Sequence, residues 1–373
     1  MALVSLPALT LSPLSALGQT AANNAPAQPA PYARFGKGPT VFAVLLPPRG
    51  GAFDRAADCV LAGIRAAHSI DGAEISVDAI VSLEDPAGLS ATLTSLRDRG
   101  VKFVIGPLTR NGANAVRTLD AVEVPTLVLN LPEGDLPARS SSRAVYFGLA
   151  IESESRQAAS QAFAQGLALD GGRKPRALMI VADNRLSVRS AVAFTEEWQS
   201  LGGELSDPIE FTGDRPPRDL RARLGTPAPD VAFLAMTPEQ ARGVRRELDP
   251  KMLAWGTSQV SIGNTRTLRL PELDGLRVLE MPWHVEPEHP AVMAYPKAPA
   301  HYSVEMQRLY ALGIDAFRLA RQMHAGGASF ELDGVTGRLR YDSQGVARID
   351  RVSVPAQYRT GRPMPIQGPA GSN

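Results

Sequence analysis

Val41-Phe-Ala-Val-Leu-Leu46, closed by Pro47 and Pro48, is a continuous apolar run, and Phe53, Ala56, Ala57, Val60, Ile64 and Ala67 follow it at helical spacing. A strand with no polar alternation is buried on both faces, so helices must cover it, and the pair reads as one β-α step. The step repeats. Ile75 to Ile80 leads to a helix near Leu89 to Arg99, Val101 to Ile105 leads to a helix near Asn111 to Ala121, and Pro125 to Leu129 closes the first series. Strands alternating with helices predict a parallel sheet with right-handed crossovers.

A second series starts after Tyr146 to Ala150. It holds a helix over Glu152 to Ala168, strand Ala177 to Val181, helix Arg185 to Leu201, a strand near Glu204 to Phe211, a short helix near Arg218 to Leu224, strand Val231 to Ala235 and helix Pro238 to Leu248. Met252 to Trp255 and Gly275 to Met281 read as further strands, and Val304 to His324 as a long helix. Thr336 to Tyr341, the turn Asp342 to Gly345, and Val346 to Pro355 alternate as a β-hairpin. The expected architecture is two α/β lobes with a cleft between them. Lobe 1 takes residues 39–149 and 258–330, lobe 2 takes 150–257 and 331–361, and 362–373 is a tail. Three chain crossings are expected, near Leu149 to Ile151, Trp255 to Ser258, and Phe330 to Gly334.

Composition removes several classes of function. The chain has 373 residues, 44% of them hydrophobic and 21% charged, enough apolar side chains to bury one large or two ordinary cores. Thirty-nine Lys and Arg against thirty-eight Asp and Glu leave a formal net charge of +1, so no bulk field attracts nucleic acid or an anionic membrane. The single cysteine, Cys59, excludes an internal disulfide and a Cys-clustered metal site, and its apolar neighbours point to a packed thiol. Residues 1–38 read as a signal-like segment and flexible leader. Ala2 to Leu17 is apolar but interrupted by Pro7 and Pro13, small residues follow around Ala16, Gly18 and Ala21, and no Lys or Arg precedes Arg34. Gln19 stands where a lipoprotein signal needs a cysteine, so the expectation is a periplasmic protein without a lipid anchor.

No catalytic constellation is visible. The chain lacks a G-x-S-x-G elbow and a Walker A lysine motif, and His68, His284, His289, His301 and His324 form no H-E-x-x-H spacing. Gly50-Gly51 follows the first strand without the G-x-G-x-x-G order that seats a pyrophosphate on a helix. The expectation is no enzyme, no cofactor and no metal. The stronger signal is Gly106-Pro-Leu-Thr-Arg110, where a buried strand ends and a helix starts, since ligands of open α/β sheets sit at the carboxyl ends of strands. Thr109 is placed to bond a ligand or to cap the helix. Asn130, Asn184, Thr257 and Ser258 end other strands and join Gly106, Pro107, Leu108, Thr109 and Arg110 as cleft candidates. Arg185 and Arg189, one helical turn apart, are candidates for gripping a carboxylate or phosphate.

These residues resemble a family. Ile105-Gly-Pro-Leu-Thr-Arg110, Tyr310-Ala-Leu-Gly-Ile-Asp-Ala-Phe317 and Gly334-Val-Thr-Gly-Arg-Leu339, in that order of elements, look like the type I periplasmic-binding-protein fold. More closely, the stretch from Thr40 to Met364 is similar to the C-terminal domain of the LpoA-like penicillin-binding protein activators. Leu45-Leu-Pro47, Thr126 to Asn130, Phe147-Gly-Leu149, Arg189 with Ala193-Phe194 and Trp198, and Pro282-Trp283 add to the likeness. The resemblance implies a non-enzymatic periplasmic protein that binds a bifunctional class A penicillin-binding protein and stimulates peptidoglycan crosslinking, with no metal and no nucleotide. The best-known members also carry a lipidated N-terminal cysteine and a helical-repeat domain, and the expectation from this sequence is that it has neither. The alternative is a solute-binding receptor that delivers an amino acid or similar small ligand to a transporter. Such a receptor needs carboxylate donors, which Thr109 offers, an acid for the ammonium, for which Glu239 is available, and aromatic cover, of which the chain has little.

Overall fold

The repeated β-α steps form two sheets that each carry helices on both faces. The computed structural model describes residues 31–366 except 137, 139–142, 170–172, 214–215, 264 and 266–267, so the signal-like segment lies outside the described residues. The first sheet holds β1 (Pro31–Phe35), β2 (Thr40–Leu46), β3 (Ile75–Val81), β4 (Phe103–Ile105), β5 (Thr126–Val128) and β6 (Ala144–Tyr146) in the order β1-β3-β2-β4-β5-β6. All neighbours are parallel except β1 against β3. Helices α1 (Asp54–Asp71), α2 (Pro86–Asp98) and α3 (Arg110–Arg117) make the crossovers. Successive residues of β2 feed different cores, as period-two geometry requires. Phe42, Val44 and Leu46 point to the side of α1, while Ala43 and Leu45 point to the side of α2 and α3.

The second sheet repeats the plan. It contains α4 (Ile151–Leu169), β7 (Arg176–Ala182), α5 (Arg185–Ser200), β8 (Glu204–Leu205), β9 (Ile209–Phe211), α6 (Leu220–Arg223), β10 (Val231–Ala235), α7 (Pro238–Glu247), β11 (Leu253–Gly256) and β12 (Arg277–Glu280). Its parallel strands run β8-β7-β10-β11-β12, and β9 also pairs with β7. After β12 come two short helices, α8 (Pro282–Val285) and α9 (Pro290–Met293), and then α10 (Val304–Ala325), which returns to lie on α1. Gly63 and Gly313 make that packing possible. A Cβ on Gly63 would lie 2.0 Å from the Tyr310 carbonyl oxygen, and one on Gly313 would lie 2.1 Å from that of Val60.

Four boundaries differ from the sequence reading. Pro31–Phe35 is a strand and not part of a leader ending at residue 38. The cause is Asp78, buried in β3, whose carboxylate takes the Arg34 guanidinium at 2.6 and 3.1 Å and that of Arg99 at 3.0 Å. The chain does not leave the second lobe near Trp255 to Ser258, because β12 is the parallel neighbour of β11. It leaves at Met281 and Trp283, which join the core of the first lobe. Residues 331–352 do not belong to lobe 2. The expected hairpin is β14 (Arg338–Asp342) with β15 (Asp350–Val352), joined by β13 (Ser329–Asp333) into a three-stranded antiparallel sheet, and Leu339, Tyr341 and Ile349 pack into the first lobe. The last crossing therefore falls at Ser353, after which β16 (Val354–Arg359) pairs antiparallel with β12. Finally, the expected tail begins with β17 (Arg362–Pro365), paired to β16. Three crossings do join the lobes, at residues 147–151, 281–283 and 353.

Candidate functional site

In the first lobe β2 lies between β3 and β4, and in the second β7 lies between β8 and β10, so the order reverses between β2 and β4 and again between β7 and β10. Crevices of this kind, outside the carboxyl ends of the strands, are where such sheets take ligands. On the first wall, β4 runs into Gly106, whose φ is 109° and whose added Cβ would lie 2.5 Å from the Leu45 carbonyl oxygen. Only glycine fits there. The Gly106 N–H donates to the Leu127 carbonyl at 2.8 Å, and the Pro107 carbonyl accepts from the Leu129 N–H at 2.9 Å. Asn130 donates from Nδ2 to the Leu108 carbonyl at 3.0 Å and accepts the Leu131 N–H at 3.0 Å. Thr109 caps α3, its Oγ1 accepting the Gly112 N–H at 3.1 Å while donating to Glu84 Oε2 at 2.5 Å. Burial pushes the Glu84 carboxyl above its ordinary range, against the opposing hydrogen bond from Thr109.

The second wall is closed in the same way. Asn184 caps α5 by accepting the Ser187 N–H at 3.0 Å, and its Nδ2 donates to Ser187 Oγ at 2.9 Å. Gln259 donates to that same hydroxyl at 2.8 Å, and Thr257 accepts the Gln259 N–H at 3.3 Å. Thr109, Asn184 and Thr257, expected to face a ligand, thus cap the helical turns that follow them.

What meets across the cleft is an ion cluster. Arg110, from the first lobe, brings Nη2 within 3.7 Å of Glu152 Oε1 on α4, and Arg189 on α5 donates to the same oxygen from Nε at 2.7 Å and also from Nη2. Burial works to raise the Glu152 carboxyl. Its own backbone N–H, the Arg189 hydrogen bonds and the charges of Arg189 and Arg110 outweigh burial and hold it below its ordinary value. The anion that Arg189 grips is thus a side chain of this protein. Arg185 is 89% exposed and lies 3.9 Å from Glu133, a surface pair worth little. Thr109, Asn130 and the Gly106 to Leu108 turn bond only to neighbouring loops of the first lobe among the described contacts, whereas Arg110 and Arg189 are brought together across the lobes.

Sequence reasoning missed a second cluster, which sits at the crossings. Glu154 on α4 accepts the Ser258 N–H at 2.9 Å and the Arg351 guanidinium at 2.8 Å, with both charged side chains about 5% exposed or less. Arg351 also donates to Ser353 Oγ at 2.7 Å and to the Thr336 carbonyl at 3.1 Å. Gln157 exchanges two hydrogen bonds with the backbone of Ser353, at 2.8 and 3.0 Å. Arg308 on α10 reaches Glu280 at 2.6 Å and the carbonyls of Ser258 and Ser261 at 3.0 and 3.4 Å. Burial opposes the Glu280 carboxylate, but the charges of Arg308 and His284 and the hydrogen bonds from Arg308 and Ser261 together outweigh it and hold the carboxyl below its ordinary value. His284 beside this pair is pushed down to about 4 by burial. Asp315 accepts the Val335 N–H, the Thr336 N–H and the Thr336 hydroxyl at 3.1, 2.8 and 2.7 Å, so a buried acid in the α10 face pins the loop before β14. Its signal in the sequence is an aspartate inside the apolar run Leu312 to Phe317.

A hollow of about 180 Å³ lies beside these crossings, lined by Leu131, Gly148, Ser153 and residues 348–351 among others. Its arginines are each paired: Arg348 to Asp350 at 2.9 Å, Arg351 to Glu154 at 2.8 Å and Arg156 to Glu196 at 3.3 Å. Among the described residues, no group of three or more His, Cys, Asp or Glu is placed to hold a metal ion. No helix among them is long and apolar enough to cross a membrane.

Comparison with known proteins fits this arrangement. A family model described as "LppC putative lipoprotein" matches residues 20–225 and 227–361. The penicillin-binding protein activator LpoA of Edwardsiella ictaluri is 29% identical over 345 residues, which cover 78% of this chain and 47% of that protein. The chain spans about half the length of the curated relatives it matches. The C-domain of LpoA from Haemophilus influenzae, described as a regulator of PBP1A, superposes with a TM-score of 0.68 at 20% identity, covering 87% of this chain and all of that one. A structure of a putative branched-chain amino acid ABC transporter from Chromobacterium violaceum superposes with a TM-score of 0.67 at 30% identity, covering 86% of this chain and all of that one.

Proposed function

The chain belongs to the LppC putative lipoprotein family, and from that membership we propose that it works in the cell envelope as a non-enzymatic activator, binding a class A penicillin-binding protein and stimulating its crosslinking of peptidoglycan. The observation that carries this reading is the state of the cleft. A receptor for a small solute keeps donors and acceptors free at the carboxyl ends of its strands. Here Thr109 and Asn184 are engaged as helix caps, and Glu152 already fills the space between Arg110 and Arg189. A protein whose cleft is bridged by its own side chains recognises through its outer surface, as an activator of another protein does. The names of the curated relatives support the same partner class.

The second reading, a receptor for a branched-chain amino acid, is favoured by one finding, the 30% identity to the Chromobacterium violaceum protein over its whole length. One experiment separates the two. The purified chain is titrated against the class A synthases of its own organism, with binding and crosslinked muropeptides measured together, and against leucine, isoleucine and valine by calorimetry. The activator reading expects saturable binding to a synthase, a rise in crosslinks and no heat with the amino acids. Tight amino-acid binding with no effect on any synthase would establish the receptor instead.

A further inference from the structure

The edge of the second sheet carries a defect beside an exposed apolar helix face. From Ala177 to Ile180, β7 advances three residues, while its partner chain advances four, from Leu205 to Ile209. The extra residue bulges the Asp207-Pro208 segment away from the sheet, and proline has no N–H to return to the ladder. The bulge opens a groove of about 570 Å³ between this segment and α5. Its floor and walls include Met179, Val188, Val192, Leu205 and Pro208, and Val188 and Val192 are about half exposed on the open side of the helix.

The charge at the rim is of one sign. The four charged residues that line the groove are Asp183, Glu196, Asp207 and Glu210, all acidic. Glu196 faces the Arg156 guanidinium at 3.3 Å, which leaves three exposed acidic residues lining the groove and no cation among the lining residues. An apolar floor inside a negative rim selects its occupant by charge complementarity. It disfavours an anionic lipid surface and a second acidic groove of the same kind. It suits an apolar stretch flanked by lysine or arginine, with the aliphatic stems laid along the floor and the cations at the rim.

We infer that this groove between α5 and the β8-β9 bulge is the docking site for a basic amphipathic segment of the partner protein. The inference deepens the activator reading and takes from it the identity of the partner as a class A synthase. Two measurements keep the groove and that reading separately testable. In the first, a Leu/Lys amphipathic peptide and its Leu/Glu counterpart are titrated into the isotope-labelled full chain. The expected result is perturbation of amides in residues 183–196 and 204–210 by the Leu/Lys peptide alone, weakened at high salt and lost in Val188→Lys/Val192→Lys. Equal binding of the Leu/Glu peptide, or binding that the double variant leaves unchanged, overturns the groove whatever the partner is.

In the second measurement, the same double variant and Asp207→Asn/Glu210→Gln are tested against the synthase. The lysine variant should weaken binding by about tenfold or more, and the neutralised rim should flatten its salt dependence. Wild-type affinity in both variants rejects the groove and leaves the activator reading standing. Failure of the wild-type chain to bind any synthase rejects that reading and leaves the groove to the peptide result. Wild-type self-association that Val188→Lys/Val192→Lys abolishes would assign the groove to a second copy of the chain and overturn the proposal.

Discussion

Arg351→Met is the sharpest test of how the lobes are held. The guanidinium bonds Glu154 at 2.8 Å, Ser353 Oγ at 2.7 Å and the Thr336 carbonyl at 3.1 Å, and both charges of the pair are nearly excluded from water. Methionine fills much of the same volume but removes the cation. It leaves the Glu154 carboxylate buried with the Ser258 N–H as its remaining described donor. Stranding one partner of a buried pair costs about 3–5 kcal/mol. Removing both charges in Arg351→Met/Glu154→Met takes away the stranded anion as well. What remains is an unpaired Ser258 N–H and the lost Ser353 and Thr336 contacts, a cost of about 1–3 kcal/mol by the desolvation of those groups. The double variant should therefore be more stable than Arg351→Met alone, with a coupling energy of at least about 1 kcal/mol. Urea unfolding of the wild type, both single variants and the double variant measures this directly. The gap should persist at high salt, because ions screen a buried pair poorly. A cost below about 1 kcal/mol for Arg351→Met, or two single effects that add to the double, would refute the claim that this pair ties α4 to the third crossing.

Three further outcomes follow from the same geometry. Gly313→Ala places a Cβ 2.1 Å from the Val60 carbonyl oxygen, so α1 and α10 must separate, and urea unfolding should register a loss of at least about 1–3 kcal/mol. Thr109→Ala removes a helix cap and should lower stability by about 1 kcal/mol, while calorimetry with leucine or glutamate stays as flat as for the wild type; loss of a measurable ligand affinity would return Thr109 to a binding role. Glu272 is held down to about 2 by the Arg242 hydrogen bond, with help from its own backbone N–H and Arg246. A depressed carboxyl stabilises the fold fully above its unfolded value near 4.5 and loses that contribution as pH falls toward 2. Both arginines are substantially exposed, so solvent screening limits the effect to about 1 kcal/mol. Thermal unfolding should show Glu272→Gln less stable than the wild type at pH 6, with the difference closing at the acid end; a difference that grows on acidification would contradict this.

The β-α alternation was legible because strands such as β2, β4 and β10 are unbroken apolar runs and the covering helices have their own period, although β3 carries Ser76 and Asp78 inside it. Lobe membership was less legible, since a strand's neighbours are set by packing and not by its residues. Leu279 marks β12 as a strand, yet nothing in Arg277–Glu280 says that it lies beside β11, and the second crossing was placed more than twenty residues too early for that reason. Pro31–Phe35 read as leader because its proline and alanine carry no strand signal, and its anchor, Asp78, is 44 residues away. The site followed the same division. Thr109 and Asn184 were legible as residues at strand ends, but a capping oxygen and a ligand-binding oxygen look alike in sequence. Arg189 was legible as an anion grip, although its anion, Glu152, lies 37 residues earlier. The charges at the crossings, Glu154, Glu280, Arg308 and Arg351, were illegible because each looks like a surface residue until its partner is placed. Once placed, they pair across the crossings, Glu154 with Arg351 and Glu280 with Arg308, where each carboxylate needs its cation to be buried at all.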